Sequence, residues 1–170
     1  SKGYTQDELL KAGLATRTRQ NSLVDFFRNR VMFPIFDRQG NLLAFGGRAL
    51  EDSGPKYLNT NDTAIYHKGK HLYALNFTKK SKSDKIILVE GYFDVISLYL
   101  ADIDYAVATL GTALTSSQAN LLKQQTSSVI TCFDADSSGR KATLKSARML
   151  EKIGINVEVL LVPESKDPDD

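Results

Sequence analysis

"VITCFDADSSGRKA" (residues 129–142) carries an apolar, β-branched run straight into two aspartates that flank a single alanine. Residues two apart in extended chain share a face, so Asp134 and Asp136 are directed to one side of the strand's end. Like charges that close resist burial unless a cation, a helix end or water compensates them. The stretch that follows, "SSGRKATLKSARMLEKIG", has helical spacing and stops at Gly154. The reading is strand, acidic turn, helix.

The same alternation extends to both sides. Upstream, "KIILVE" is a short β-branched run and "YFDVISLYLA" has helical spacing of its apolar residues. "YAVATL" is a second strand candidate, "TSSQANLLKQQ" opens on a capping box of Thr115 and Gln118, "SSVITCF" is the third strand and "NVEVLLVP" the fourth. Strand–helix alternation predicts an α/β fold: a small, mostly parallel βαβ sheet covered by helices, with right-handed crossovers.

The first half is different. "TQDELLKAGL" reads as a helix with a capping box of Thr5 and Glu8, stopped by Gly13. "RVMFPIFDRQGNLLAFGGRAL" reads as a β-hairpin turning at Gly40 and Asn41, with Pro34 demanding an edge position or a bulge. "GPKYLNTNDTAIYHKGKHLY" is rich in turn formers, aromatics and lysines. The polar "SKSDK" (81–85) is the candidate linker, which predicts a mixed α+β basic subdomain over 1–82 and an α/β domain over 83–170.

Composition agrees with a soluble protein: hydrophobic residues make up 42% and charged residues 25% of the 170, and no apolar run approaches the roughly 20 residues of a membrane span. The polar start "SKGYTQDELL" has no signal-peptide core. The single cysteine, Cys132, excludes an internal disulfide or a Cys-based zinc site and reads as a buried, inert thiol, so a cytoplasmic protein is expected. The net charge of +2 hides an asymmetry, because residues 1–84 hold 14 Lys/Arg against 8 Asp/Glu and the remainder 8 against 12. That split suits a polyanion on one side and cations on the other.

Ligands of an open parallel sheet bind beyond the carboxyl ends of its strands. The first strand delivers Glu90 and Gly91, with Asp94 in the next helical turn. The second delivers Gly111 and Thr112, the third Asp134 and Asp136, and past the fourth come Asp167 and Asp169. Taken singly, Asp136 and Asp94 read equally well as helix caps. Taken jointly, oxygen-only donors with no His or Cys beside them favour Mg²⁺ or Mn²⁺, and such an ion suits phosphoryl or nucleotidyl transfer. Gly91 and Gly111 admit a polyphosphate close to the backbone. "DADSSG" opens like a calcium loop, but the twelfth position from Asp134 is Lys145 where a bidentate Glu is required. No Walker A pattern occurs.

A Glu at one strand end, Asp-x-Asp at another and a βαβ frame between them resemble the Toprim domain of primases, topoisomerases and some nucleases. The longer motifs "VEGYFDVISL", "ATLGTALT", "CFDADSSGRKA" and "VPESKDPDD" resemble those of bacterial DnaG-type DNA primases, and so do "RVMFPIFDRQGNLLAFGGRAL", "GPKYLNTNDTAIYHKGKHLYAL" and "KGYTQDELLKAGL" upstream. The resemblance implies a DNA-directed RNA polymerase making short RNA primers on a single-stranded DNA template from ribonucleoside triphosphates, with an RNA–DNA product. It implies Glu90, Asp134 and Asp136 as catalytic metal ligands, Asp94, Asp167 and Asp169 as further acids of the Mg²⁺ (or Mn²⁺) centre, and Arg48, Lys56, Lys68 and Arg30 as nucleotide- and nucleic-acid-binding residues. Tyr57, Tyr66 and Tyr73 are candidates for base stacking, with core packing the alternative. The family's zinc-binding module and its helicase-contacting region fall outside this sequence, which is expected to be a fragment cut on the C-terminal side of the Toprim domain. Zinc and the replicative helicase are therefore expected only through regions absent here, and no membrane partner is expected. The alternatives are another Toprim enzyme, a nuclease or topoisomerase subunit, or a nucleic-acid-binding module without catalysis.

Overall fold

The computed structural model describes residues 2–51 and 54–163. The chain separates into two compact units, residues 1–36 with 41–67 and residues 37–40 with 68–170.

In the first unit, α1 (Gln6–Lys11) begins at Thr5. The Glu8 N–H donates to the Thr5 hydroxyl at 3.3 Å and the Thr5 N–H donates to the Glu8 carboxylate at 2.7 Å, which completes the expected capping box. These bonds hold the Glu8 carboxyl below its usual range. Gly13 ends the helix at φ +69, a conformation that favours glycine. A short hairpin of β1 (Ala15–Arg17) and β2 (Leu23–Asp25) follows. Three-residue strands carry too little alternation to be read from sequence. The predicted hairpin is β3 (Arg30–Phe36) against β4 (Leu42–Ala49), and β5 (Tyr57–Asn59) adds to the other side of β4. Pro34 lies on the edge strand of this sheet, beside a register shift between Ile35 and Phe36, so its missing N–H breaks no central ladder. Phe33, Ile35, Ala44 and Tyr66 are buried.

The second unit contains β6 (Lys85–Val89), α2 (Tyr92–Leu100), β7 (Ala106–Ala108), α3 (Ser116–Lys123), β8 (Ser128–Thr131), α4 (Ser137–Lys152) and β9 (Asn156–Val159). The strands pair in the order β7-β6-β8-β9, and every pairing is parallel. Alternate residues of β6 face opposite sides. Ile86 and Leu88 join Val107, Val129, Leu122 and Leu150 in one core, while Ile87 and Val89 join Ala106, Ala108, Val95 and Cys132 in the other. Each fully buried side chain such as Leu88 contributes roughly 1.5–3 kcal/mol.

Helix α2 contributes to the second core, and α3 and α4 to the first. The connection from β6 to β7 runs one way along the sheet, and those from β7 to β8 and β8 to β9 run the other way. Helices on opposite faces are what a single hand of crossover requires when the direction reverses. Cys132 is free and buried, as expected, and burial, with the charges of Asp94 and Asp134, pushes its thiol up, away from the thiolate. Residues 68–80 belong to this unit, with Leu72 and Leu75 in its core. Among the described residues no helix is long and apolar enough to cross a membrane.

Candidate functional site

Strands β6 and β8 are neighbours whose chains then leave in opposite directions, towards β7 and β9. Their carboxyl ends flank the switch point of the sheet, where a crevice for ligands forms. Glu90 follows β6 directly, and Asp134 and Asp136 follow β8, which puts these three acids at adjacent strand exits. Asp167 and Asp169 lie outside the described residues.

Each acid has its own local support. Gly91 is the N-cap of α2 in extended conformation, and its N–H donates to Asp94 Oδ2 at 2.8 Å. This is half of a capping box, since glycine has no side chain to return the bond. It holds Asp94 almost fully buried, at 7% exposure, in the first turn of the helix. Asp136 is the N-cap of α4 and its Oδ1 accepts the Gly139 N–H at 2.6 Å. The Arg140 Nε–H donates to the Ala135 carbonyl at 3.0 Å, which braces the turn between the two aspartates. Both cap readings are therefore real, and each engages only one oxygen of its carboxylate in that bond.

Glu90 is the electrostatic centre of the group. Burial is the main cause that raises its carboxyl above the usual range, and the charges of Asp134, Asp136 and Asp94 push the same way, with a backbone hydrogen bond from Asp134 opposing them. Its Oε1 is buried without a hydrogen-bond partner among the described residues. A buried carboxylate oxygen without a hydrogen-bond partner, in the field of other carboxylates, is a place where a hard cation fits, and the donors at hand are oxygen alone. Among the described residues no three His, Cys, Asp or Glu side chains form a ready-made ligand cage.

A cavity of about 370 Å³ opens beside Glu90, lined by Thr109, the 111–114 loop, Phe133, Ser138 and Ala142. The Thr109 hydroxyl donates to the Glu90 carbonyl at 3.4 Å. Gly111 takes φ +73, which turns the chain sharply after β7. Gly139, which sequence reading did not single out, is pressed against Asp134. A Cβ on it would overlap the Asp134 carbonyl oxygen and lie 2.9 Å from the carbonyl carbon. A glycine inside a helical pattern, where it costs up to about 1 kcal/mol, was the available signal.

The basic residues of the first unit form a separate group. Arg48 lies between Val31 of β3 and Tyr57 of β5 in the sheet register. Its Nη1–H donates to the Tyr57 hydroxyl at 3.2 Å, with the guanidinium 5.6 Å from that ring's centroid and Lys56 Nζ 5.8 Å from it. Arg48, Lys56, Glu51 and Gly54 line a polar cavity of about 310 Å³. Arg30 donates to the Gly47 carbonyl at 3.3 Å and packs over that glycine, where a Cβ would lie 3.1 Å from Arg30 Cδ. The second glycine of "GGR" thus makes room on β4.

The three tyrosines divide. Tyr57 is 42% exposed, whereas Tyr66 is at 0% and belongs to the core, its hydroxyl pushed up by burial and by the Asp62 charge. Tyr73 packs on Tyr92, ring centroids 5.0 Å apart, and burial raises its hydroxyl too. Base stacking by Tyr66 is thereby corrected to core packing. Lys68 opens a 3-10 turn (Lys68–Lys70) that packs in the second unit, although its position in sequence associates it with the basic first half.

A parallel sheet with acids at its switch point defines the class, and comparison with known proteins agrees. Residues 87–170 match the family model described as Toprim-like, and residues 1–79 match the DNA primase catalytic core, N-terminal domain. The DNA primase of Clostridium acetobutylicum is 49% identical over 171 residues, covering 100% of this chain and 28% of that protein. A crystal structure of a DNA primase domain from Pseudomonas aeruginosa superposes with a TM-score of 0.89 at 43% identity, covering 96% of this chain and 53% of that one. A structure of the DnaG primase catalytic domain bound to ssDNA gives a TM-score of 0.89 at 38% identity, covering 96% and 55%. The chain belongs to the family of bacterial DnaG-type DNA primase catalytic cores, and it spans little more than a quarter of the Clostridium relative's length.

Proposed function

We propose that this chain is the nucleotidyl-transfer part of a DNA primase that makes short RNA primers on single-stranded DNA. The observation that supports the reading is the buried Oε1 of Glu90, without a hydrogen-bond partner among the described residues, at the sheet's switch point, where the charges of Asp134, Asp136 and Asp94 also act on this carboxyl. A relative's catalytic domain bound to ssDNA supports the template as partner, and replication of bacterial DNA implies a cytoplasmic location. The division of labour taken from the sequence is a basic subdomain over 1–82 and a Toprim domain over 83–170, with residues 68–80 of the former packing in the second compact unit.

Glu90, Asp134 and Asp136 would hold Mg²⁺ or Mn²⁺, with Asp94, Asp167 and Asp169 as further acids of the centre. When bound, the ion supplies charge neutralisation at the reacting phosphate and lowers the barrier to attack by a primer 3′-hydroxyl. The protein's own part is orientation. Gly91 fixes Asp94, Gly139 and Arg140 fix the 134–136 turn, and Thr109 tethers the Glu90 backbone. Arg48, Lys56, Lys68 and Arg30 bind triphosphate or backbone phosphates through charge-assisted hydrogen bonds.

The test is primer synthesis by the full-length protein carrying Asp134→Ala. Loss of at least a hundredfold is expected. Near-normal synthesis, or DNA cleavage without any nucleotide requirement, would overturn the reading.

A further inference from the structure

Gln118 is wholly buried in the first turn of α3, and it joins three separate pieces of backbone. Its Oε1 accepts the Thr115 N–H at 3.0 Å, while its Nε2 donates to the carbonyls of Lys68 at 3.1 Å and His71 at 2.8 Å. The Thr115 hydroxyl accepts the Gln118 N–H at 3.1 Å and donates to the Gly69 carbonyl at 2.6 Å. A capping box needs only the bonds between Thr115 and Gln118. The three bonds that leave the helix and grip the 68–71 turn are additional.

The grip is tight. A Cβ on Gly69 would lie 3.2 Å from Thr115 Cγ2. A few residues on, Tyr73 pairs antiparallel with Ala108 at the end of β7, the Tyr73 N–H donating to the Ala108 carbonyl at 2.9 Å and the Ala108 N–H to the Tyr73 carbonyl at 3.3 Å. The segment carrying Lys68 is therefore fixed at two points on the path from 108 to 118. Between those points runs the loop that lines the cavity beside Glu90. Glutamine is suited to this task, because one neutral side chain supplies both the donors for the two carbonyls and the acceptor for the Thr115 amide.

We propose that Thr115 and Gln118 are positioning residues for nucleotide binding, holding the Lys68 turn in register with the loop that lines the Glu90 cavity. The proposal rests on the reading of Lys68 as a triphosphate-binding residue. Gln118 is wholly buried, and the Thr115 hydroxyl is engaged by the Gly69 carbonyl and the Gln118 N–H. They act through the backbone of 68–71, so their loss weakens ground-state and transition-state binding alike.

The experiment is steady-state primer synthesis by the full-length protein with ribonucleoside triphosphate varied. The variants are Lys68→Ala, Thr115→Val, Thr115→Ser and the Lys68→Ala/Thr115→Val pair. Thr115→Val is expected to raise KM roughly fivefold with kcat little changed, since it removes both bonds of the Thr115 hydroxyl, the one to the Gly69 carbonyl and the one from the Gln118 N–H. Thr115→Ser keeps the hydroxyl and restores the parent KM. The pair is expected to be no worse than Lys68→Ala alone, because displacing an absent side chain costs nothing further. If Thr115→Val loses cooperative unfolding, Gln118→Glu takes its place, since it keeps the acceptor and loses both donors. A normal KM in Thr115→Val or in the Gln118→Glu that replaces it, or full additivity in the pair, overturns the positioning role while leaving Lys68 as a binding residue. A normal KM for Lys68→Ala overturns the Lys68 reading and this proposal with it.

Discussion

Gly139 stands against Asp134 so closely that its missing Cβ makes room for the Asp134 carbonyl, and its N–H at the same time donates to Asp136 Oδ1 at 2.6 Å. One glycine in the first turn of α4 thus sets the spacing of both aspartates of the Asp-x-Asp pair.

Gly139→Ala reverses the usual sign of a helical glycine replacement. In an open helix the change would stabilise by up to about 1 kcal/mol. Here the new methyl meets backbone that cannot swing aside, and a loss of about 1–3 kcal/mol is expected, as for overpacked cores. Urea unfolding of the two proteins measures it, and a stabilised variant would contradict the close contact.

Asp136 has a cap role and a proposed ligand role, and substitution separates them. Asp136→Ser keeps an N-cap oxygen and should hold stability within a few tenths of a kcal/mol, while Asp136→Ala loses about 1 kcal/mol. Both should abolish saturable Mn²⁺ binding and primer synthesis in the full-length protein. Retained Mn²⁺ binding in Asp136→Ser would limit Asp136 to its cap.

Glu90 predicts a pH dependence. A carboxyl whose folded pKa lies above its unfolded value binds its proton more tightly in the fold. Its contribution is therefore fully present below the unfolded pKa and is lost as pH rises through the folded one. In metal-free buffer at neutral pH, Glu90→Gln should raise Tm by on the order of 2–4 °C, with the gain vanishing in acid. Saturating Mn²⁺ should stabilise the parent, by about 2.7 kcal/mol at a hundred times Kd. The same ion should leave Glu90→Gln nearly unmoved, and equal shifts in both proteins would exclude Glu90 as a ligand.

Lys56 is exposed beside Tyr57 and contributes charge to a polyanion surface. Lys56→Ala should weaken single-stranded DNA binding for all sequences and flatten the plot of log K against log salt by about 0.7. Fluorescence anisotropy across a salt series tests this, and an unchanged slope would remove Lys56 from the binding surface.

Much of the fold was legible because its signals are local. The capping boxes at Thr5 and Thr115, the turn after β3 and the strand–helix alternation each lie within a few residues of chain, and backbone sterics and hydrogen bonding translate them directly. The β1–β2 hairpin and β5 were not legible, since three residues give no period to read. Tyr66 and Tyr57 sit nine residues apart in similar polar, turn-rich surroundings, yet one is sealed in the core and the other half open. Burial is a property of what packs over a residue, and the local sequence does not state it.

By itself, then, the sequence determined the order of the longer elements, the acids at the strand exits and the family. Only the tertiary structure decided that β6 and β8 are neighbours whose chains diverge, which turns separate acids into one cluster around Glu90. Only the tertiary structure placed the Lys68 turn under Thr115 and Gln118, and Gly139 against Asp134. The physical reason is range. Helix caps and hydrophobic periods are set by bonds spanning three or four residues, whereas a shared electrostatic field and a buried side chain's reach join parts of the chain nearly fifty residues apart.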